Sequence, residues 1–340
     1  MKKLELSDRD GVAYLAEKIG LTTTVPVEVI YAGGYIPVDL NNVFITGKET
    51  HKYIEKAELA GYPRNLCGWI KGIYGTVLSE PEINKVIAVT QGDCSNTHAL
   101  METLELAGIE IIPFAFPFDR DRDLLKLQIE KLMDRLGTNW GEVNKTKEDL
   151  DRVRQLVWEI DRLTYEENLV SGWENHLFQV SCSDFNGNPT VFAEEAKAFI
   201  EQVQERTPFE NEIRIGFIGV PPIITDIYHY LEERGGRVVF NEVQRQFTMP
   251  FSTEDLIEQY RLYTYPYHVF YRLEDVQREI ERRNIDMLIH YTQSFCFRQI
   301  EDIIFRNKIK IPILSLEGDR PGPVDARSKM RIDSFLDMMR

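Results

Sequence analysis

The feature that most constrains the fold of this chain is a repeated alternation of short apolar runs with stretches of helical periodicity. Near-continuous apolar runs are typical of strands buried on both faces of a parallel sheet, and helices supply the connections between such strands. We therefore predict an α/β protein with its strands covered by helices on both sides. The predicted strands are 28–34, 83–90 and 109–113 in the first half, and 213–220, 236–240, 285–292 and 311–316 in the second.

The length of 340 residues favours more than one domain. Strand signals are scarce over 146–206, where apolar residues recur at three- and four-residue steps, so this stretch is predicted to be a helical connector. It would join two Rossmann-like parallel-sheet domains, an N-terminal one over 1–145 and a C-terminal one over 207–340. Further helices are predicted over 95–108, 273–284 and 296–307.

Composition excludes several classes of partner. With 55 acidic and 40 basic side chains the formal net charge is −15, which repels phosphate backbones and argues against nucleic-acid binding. The first twenty residues are polar and lack the apolar core of a signal peptide. The longest apolar run, 215–224, is too short to span a bilayer. We expect a cytoplasmic protein without membrane association.

The four cysteines are Cys67, Cys94, Cys182 and Cys296, and none forms a C-x-x-C pair. Cys94 and Cys296 each follow a predicted strand by four residues, at the sheet edge where α/β proteins bind ligands. Both also precede a helical pattern, as Cys67 does, and helix N-termini favour thiolates. Three such thiolates could hold an iron–sulfur cluster that leaves one iron without a protein thiolate. The spacing is equally compatible with small buried side chains.

Two further residues are candidates for proton transfer. Glu28 lies in an apolar run, so it must be paired or have a raised pKa; a catalytic and a structural role are both open. His98 follows Cys94 by one helical turn, where it could face the site or simply lie in solvent.

The tyrosine-rich segment 260–272 is predicted to be a packing or interface segment. The glycines of 68–75 are predicted to permit close approach of helices.

Five segments spread in order over most of the chain carry a family resemblance. They are VPVEVIYAGGYIPVDL (25–40), LCG (66–68), GDCSNTHALMETLELAG (92–108), IDMLIHYTQSFCFRQ (285–299) and IPILSLEGDRPGPVDARSKMRIDSFLDMM (311–339). Together they resemble segments of the 2-hydroxyacyl-CoA dehydratase component family, in particular the D-component of 2-hydroxyglutaryl-CoA dehydratase. The benzoyl-CoA reductase subunits are relatives of this family.

The resemblance implies that Cys67, Cys94 and Cys296 bind a [4Fe-4S] cluster between the two α/β domains. The fourth iron would be open to water, sulfide or the thioester oxygen of an acyl-CoA substrate. The resemblance also implies an ATP-dependent iron–sulfur activator protein that injects one electron, and a ketyl radical from which an unactivated β-proton can leave. Such an enzyme would be an oxygen-sensitive lyase, either a homodimer or a heterodimer with a related subunit. Cys182 matches no ligand segment and is predicted to be structural.

Two alternatives to a dehydratase stay open. One is a low-potential reductase or electron-transfer component related to benzoyl-CoA reductase. The other is a non-catalytic accessory subunit whose cluster is structural. The acyl group is not specified by any CoA-binding signature in the sequence.

Overall fold

The computed structural model describes residues 16–210 and 213–340. The first fifteen residues lie outside the described residues. They include the start of the predicted N-terminal domain and most of the polar segment that was compared with a signal peptide. Within the two described ranges, eight strands form two four-stranded sheets. The strands are β1 Lys18–Leu21, β2 Ile36–Asp39, β3 Ile83–Gln91, β4 Glu110–Ala115, β5 Ile213–Gly219, β6 Gly236–Asn241, β7 Met287–Gln293 and β8 Ile313–Gly318.

The two sheets share one topology. The strand order is β2-β1-β3-β4 in the first sheet and β6-β5-β7-β8 in the second, and every pairing is parallel. In each sheet the direction of winding reverses beside the first strand, so a topological switch point lies between β1 and β3 and again between β5 and β7. Ligands of open parallel sheets bind at the carboxyl ends of the strands at such points. The predicted fold class, with two parallel-sheet halves, is confirmed.

Helices cover both sheets and connect them. In the described residues, four of them, α6 to α9, lie in sequence between the last strand of the first sheet and the first strand of the second, and α7 to α9 fall largely within the stretch 146–206. The domain boundaries at 145 and 206 stay a prediction. The helices are α1 Val27–Ala32, α2 Leu40–Thr46, α3 Thr50–Leu59, α4 Gly68–Val77, α5 Thr97–Leu106, α6 Arg122–Leu136, α7 Trp140–Tyr165, α8 Gly172–Ser181, α9 Pro189–Val203, α10 Ile227–Glu232, α11 Glu242–Gln246, α12 Leu256–Leu262, α13 Val269–Arg282, α14 Asp302–Lys308 and α15 Ala326–Asp337.

The strand predicted over 28–34 is wrong, because this segment forms helix α1. Val27, Val29 and Ile30 are all fully or almost fully buried, and a helix buried on every side has the same continuous apolar pattern as a buried strand. The segment begins directly after Pro26, whose fixed φ suits a helix start. The prediction also missed β1 and β2, the four-residue strands on either side of it.

Helix α4 packs through its glycines, as predicted. A Cβ atom added to Gly72 would lie 2.5 Å from the ring of Phe44 in α2, and one added to Gly75 would lie 2.1 Å from the carbonyl oxygen of Tyr53 in α3. At the start of α4, a Cβ on Gly68 would lie 2.4 Å from the carbonyl oxygen of Asp319, beyond β8. The N-terminus of α4 is therefore held directly against the second half of the molecule.

The tyrosine-rich segment packs in the core and is not an exposed interface. Tyr260, Tyr263, Tyr265 and Tyr267 are at most 8% exposed. The ring of Phe116, just after β4, contacts three of these four rings with centroid separations of 6.0 to 6.5 Å. The segment thus joins the two halves, and it carries no argument for an oligomer.

Among the described residues, no helix is both long enough and apolar enough to cross a bilayer.

Candidate functional site

Three of the four cysteines line one cavity between the carboxyl ends of the two sheets. Cys94 is the third residue after β3, and Cys296 is the third residue after β7. Cys67 is the N-cap residue of α4, the helix held against the second half by Gly68. The cavity encloses about 860 Å³, counting the part open to solvent. The structure therefore brings together the three cysteines that the sequence analysis selected.

Each of the three thiols accepts a hydrogen bond from the backbone N–H group two residues further along the chain. The donors two residues on are Trp69 for Cys67, Asn96 for Cys94 and Arg298 for Cys296, and the N–H group of Ile70 has a larger effect on Cys67 than that of Trp69. The geometry repeats because the chain turns immediately after each cysteine. Cys67 leads into α4, Cys94 into the turn before α5, and Cys296 into a 3-10 turn at Phe297–Gln299. Backbone donors of this kind stabilise negative charge on sulfur.

The expectation that helix starts lower the thiol pKa values is wrong. Burial raises the pKa of Cys67 to about 11 and that of Cys94 to about 12, and it also raises the pKa of Cys296. The backbone donors oppose this effect without overcoming it. Helix α5 begins only at Thr97, and Cys296 precedes a 3-10 turn, so neither thiol caps an α-helix. The free thiols are neutral, and metal binding must displace their protons.

The donor set fits an iron–sulfur cluster better than a single ion. Within 16–210 and 213–340, no three His, Cys, Asp or Glu side chains converge closely enough to hold one metal ion. Thiolate ligands of one zinc ion all lie about 2.3 Å from it. In a cubane, by contrast, each thiolate binds a different iron, so the ligands face a common space without converging on one point. Three free thiols around one cavity match that requirement.

Two carboxyl groups that the sequence analysis missed also line the cavity. Asp39, the last residue of β2, caps α2 by accepting from the backbone N–H of Asn41 at 2.9 Å. Asp93 accepts from the hydroxyl of Tyr265 at 2.8 Å. Burial raises the pKa of both carboxyls; at Asp93 the Tyr265 hydrogen bond and the charge of Arg298 oppose the rise. Both residues lie at carboxyl ends of strands. The rule that selected Cys94 could have found Asp93, which follows the same predicted strand, but not Asp39, because β2 was not predicted.

Comparison with known proteins identifies the family to which this arrangement belongs. The sequence profile of the family described as 2-hydroxyglutaryl-CoA dehydratase, D-component, matches residues 22–339. The chain belongs to this family. The resemblance read from five segments is thereby confirmed, and membership supports a dehydratase-type subunit. The match to the D-component family covers strands β2 to β8 and all three cavity cysteines. No curated protein gives a significant match.

Glu28 does not line the cavity of this D-component family member. It is fully buried in α1, where its carboxylate lies 2.8 Å from Nη1 of Arg154 and accepts from Nε2 of Gln259 and the hydroxyl of Tyr260. Burial raises the pKa of Glu28, but the Arg154 charge and the hydrogen bonds outweigh it, so the pKa lies below its ordinary value. This geometry favours the structural alternative over proton transfer.

His98 and Cys182 also lie away from the cavity. His98 is on the exposed face of α5, which favours the alternative in which it simply lies in solvent. Cys182 follows α8, is 1% exposed and packs in the apolar core. Burial raises the pKa of Cys182 to about 12, as expected for an inert structural thiol.

Proposed function

We propose that this chain is the cluster-bearing subunit of a 2-hydroxyacyl-CoA dehydratase. Cys67, Cys94 and Cys296 would hold a [4Fe-4S] cluster whose fourth iron has no protein thiolate. The observation that carries the proposal is that three free thiols, from loops of both halves, line one cavity at the carboxyl ends of two parallel sheets. Membership of the D-component family supports the assignment.

When bound, the cluster would supply a Lewis-acidic iron and a low-potential electron. The residues of the chain supply the rest of the site. The cavity wall is mainly apolar and excludes water from the acyl group, with Ile70, Ile73 and Phe247 among its members. Asp93 presents a carboxyl group to the same space, positioned by the hydroxyl of Tyr265.

The proposed reaction removes water across carbons 2 and 3 of the acyl group. The C–O bond at carbon 2 breaks, and the proton on carbon 3 passes to the carboxylate of Asp93, which returns it to the departing hydroxide as water. We propose that the acyl group, reduced by one electron to a ketyl radical, expels the hydroxide at carbon 2, and that the neutral radical left behind makes the proton on carbon 3 acidic. The electron that forms the radical would come from an ATP-dependent iron–sulfur activator, and it would leave the product once the double bond has formed and serve the next turnover. A related or identical subunit would complete the enzyme. The description of the family as one component of a dehydratase supports such partners.

Protein purified without oxygen is expected to contain about four iron and four sulfide per chain, with an EPR spectrum that changes on addition of a strong reductant. Cys67→Ser, Cys94→Ser and Cys296→Ser should each lose most of the iron, because each removes one of three thiolates. Iron and sulfide are measured chemically on the same samples used for EPR. Cys182→Ala is the matched control and should keep the wild-type iron content. A folded wild-type protein without iron, or full iron content in the Cys94→Ser variant, would contradict the proposed cluster.

Turnover should need only catalytic amounts of electrons, because removal of water is redox-neutral. With an activator, ATP and a limiting supply of reductant, many molecules of enoyl-CoA are expected for each electron supplied. A reductase would instead consume a pair of electrons for every double bond that it reduces. Titrating the reductant and counting product by chromatography separates the two activities. If the amount of product never exceeds the number of electron pairs supplied by the reductant, the result would favour the reductase.

A further inference from the structure

We propose that the acyl group accepted by this site is an uncharged hydrocarbon chain rather than a dicarboxylic chain. This inference rests on the function proposed above and specifies its substrate class. The family description names glutaryl, an acyl group that ends in a second carboxylate. Within the described residues, the cavity provides hydrocarbon contacts for such an end, and its single lining cation, Arg298, already has partners.

The wall that follows Cys67 along α4 is apolar. Neutral polar side chains line other parts of the cavity, and the amide N–H groups of Asn41 and Asn42 among them already donate to protein oxygens. Ile70 and Ile73 follow Cys67 on α4, three residues apart and therefore on the same face of the helix, and they are 3% and 2% exposed. An acyl chain that starts near the thiols and extends along α4 would therefore contact hydrocarbon. The other apolar residues of the wall are Trp69, Val180, Val220, Pro221, Phe247 and Phe297.

The charges that line the cavity are predominantly negative. Among the described residues of the lining, the charged side chains are Asp39, Asp93 and Arg298. The guanidinium of Arg298 already has partners: it lies 3.5 Å from the carboxylate of Glu301 and donates to the carbonyl oxygen of Tyr265 at 3.1 Å. It also lies over the ring of Tyr265, 4.6 Å from its centroid. The lining therefore leaves no uncommitted cation for a substrate carboxylate.

The adjoining cavity does not supply the missing cation. This second space, about 1500 Å³ with its open part, shares Asn42, Trp69, Val180 and Pro221 with the first. Its charged lining residues in the described part of the chain are Lys18 and Asp184. Lys18 is paired with Glu82 at the protein surface.

His176 also lines the second space, but it does not act as a cation there. Burial lowers the pKa of His176 to about 3, so the ring is neutral at neutral pH. The Nδ1 atom already contacts the hydroxyl of Tyr228 at 3.1 Å and the amide of Gln244 at 3.2 Å. A longer dicarboxylic chain that reached this space would still lack a cationic partner.

The balance of free energies follows from these contacts. A carboxylate that leaves water for this cavity loses its hydration without gaining an uncommitted cation among the described lining residues, and the carboxyl groups of Asp39 and Asp93 face the same space. A hydrocarbon end of the same size gains free energy from burial against Ile70 and Ile73. Both effects favour the uncharged acyl group.

The test compares two thioesters that differ only at the end of the acyl chain. One is 2-hydroxyglutaryl-CoA, and the other is 2-hydroxy-5-methylhexanoyl-CoA, in which an isopropyl group replaces the terminal carboxylate. Dissociation constants are measured by calorimetry on unreduced protein purified without oxygen. The isopropyl compound is expected to bind more tightly by a factor on the order of 100. Equal or tighter binding of the glutaryl compound would overturn the inference. Binding of neither compound more tightly than CoA alone would instead contradict the proposed function.

A variant tests the same point from the side of the protein. Ile73→Lys places an amine in the apolar wall, and we expect it to narrow or reverse the preference for the isopropyl compound. Ile73→Met changes shape without adding charge and should keep the wild-type preference. An unchanged preference in folded Ile73→Lys protein would count against the inference. The wild-type comparison stands by itself if the lysine variant fails to fold.

Discussion

Replacing Glu28 by glutamine is expected to lower the free energy of unfolding by about 3–5 kcal/mol. The substitution keeps the shape of the side chain but leaves the guanidinium of Arg154 without its buried counter-ion. Arg154 is itself 0% exposed, and within the described residues its Nε and Nη2 atoms have no hydrogen-bond partner. Its remaining carboxylate contact is Asp151, at 2.9 Å near the protein surface. An arginine in this position cannot lose its proton, so it stays charged and buried.

The measurement is equilibrium denaturation of wild type and Glu28→Gln at several pH values. The pKa of Glu28 in the folded protein lies below the ordinary value of 4.5, so its contribution to stability is complete above that pH. It is lost as the pH falls through the lower, folded-state pKa. The difference between wild type and variant should therefore be constant near neutral pH and shrink below about pH 4.5.

A control lies on the same helix as Arg154. Glu159 and Arg162 form an ion pair at 2.7 Å with both side chains about one third exposed. Glu159→Gln should cost no more than about 1 kcal/mol, because water screens such pairs and replaces their hydrogen bonds. If Glu28→Gln destabilises the protein no more than Glu159→Gln does, Glu28 is not the structural counter-ion described here, and its proposed catalytic alternative regains weight.

The sequence predicted those parts of the fold that local pattern determines. Seven strands were predicted, and the six outside 28–34 correspond to β3 to β8. The error at 28–34 arises because a short helix that is buried on every side is apolar at nearly every position. Its sequence then lacks the periodicity that distinguishes a helix from a strand. Glu28 pairs with Arg154, which lies more than a hundred residues away in the sequence. Local sequence pattern cannot predict such a tertiary contact.

The candidate site could be predicted where the chain signals it by position. Cys94 and Cys296 were selected because they follow strands, and parallel strands bring such residues to one edge. Asp93 follows the same strand as Cys94, yet acidic residues are common in loops, so the position is less informative for an aspartate. Asp39 ends β2, a strand that the sequence analysis did not predict. His98 was selected by its helical distance from Cys94. Because α5 starts at Thr97, His98 faces outward. Predicting this would have required knowing the rotation of the helix about its axis.

Replacing Asp93 by asparagine is expected to lower kcat for dehydration by about 10²–10⁴-fold while leaving the iron content unchanged. Asp93 lines the cavity beside Cys94, and within the described residues no Lys, Arg or His side chain forms an ion pair with it. Its carboxylate can therefore exchange a proton without breaking a salt bridge. Asparagine keeps the size of the side chain and the contact with Tyr265 but cannot accept a proton.

The measurement is kcat and KM with activator and ATP, together with iron content and EPR of the same samples. Asp93→Glu retains a carboxyl group and should recover part of kcat, which a purely structural role would not predict. Asp39→Asn is the matched comparison: asparagine is an equally good N-cap for α2, so this variant should lose much less kcat than Asp93→Asn. Loss of iron in Asp93→Asn would assign Asp93 to holding the cluster. Full activity with full iron would remove Asp93 from the proton path and leave that role to a residue of the partner subunit or of the substrate.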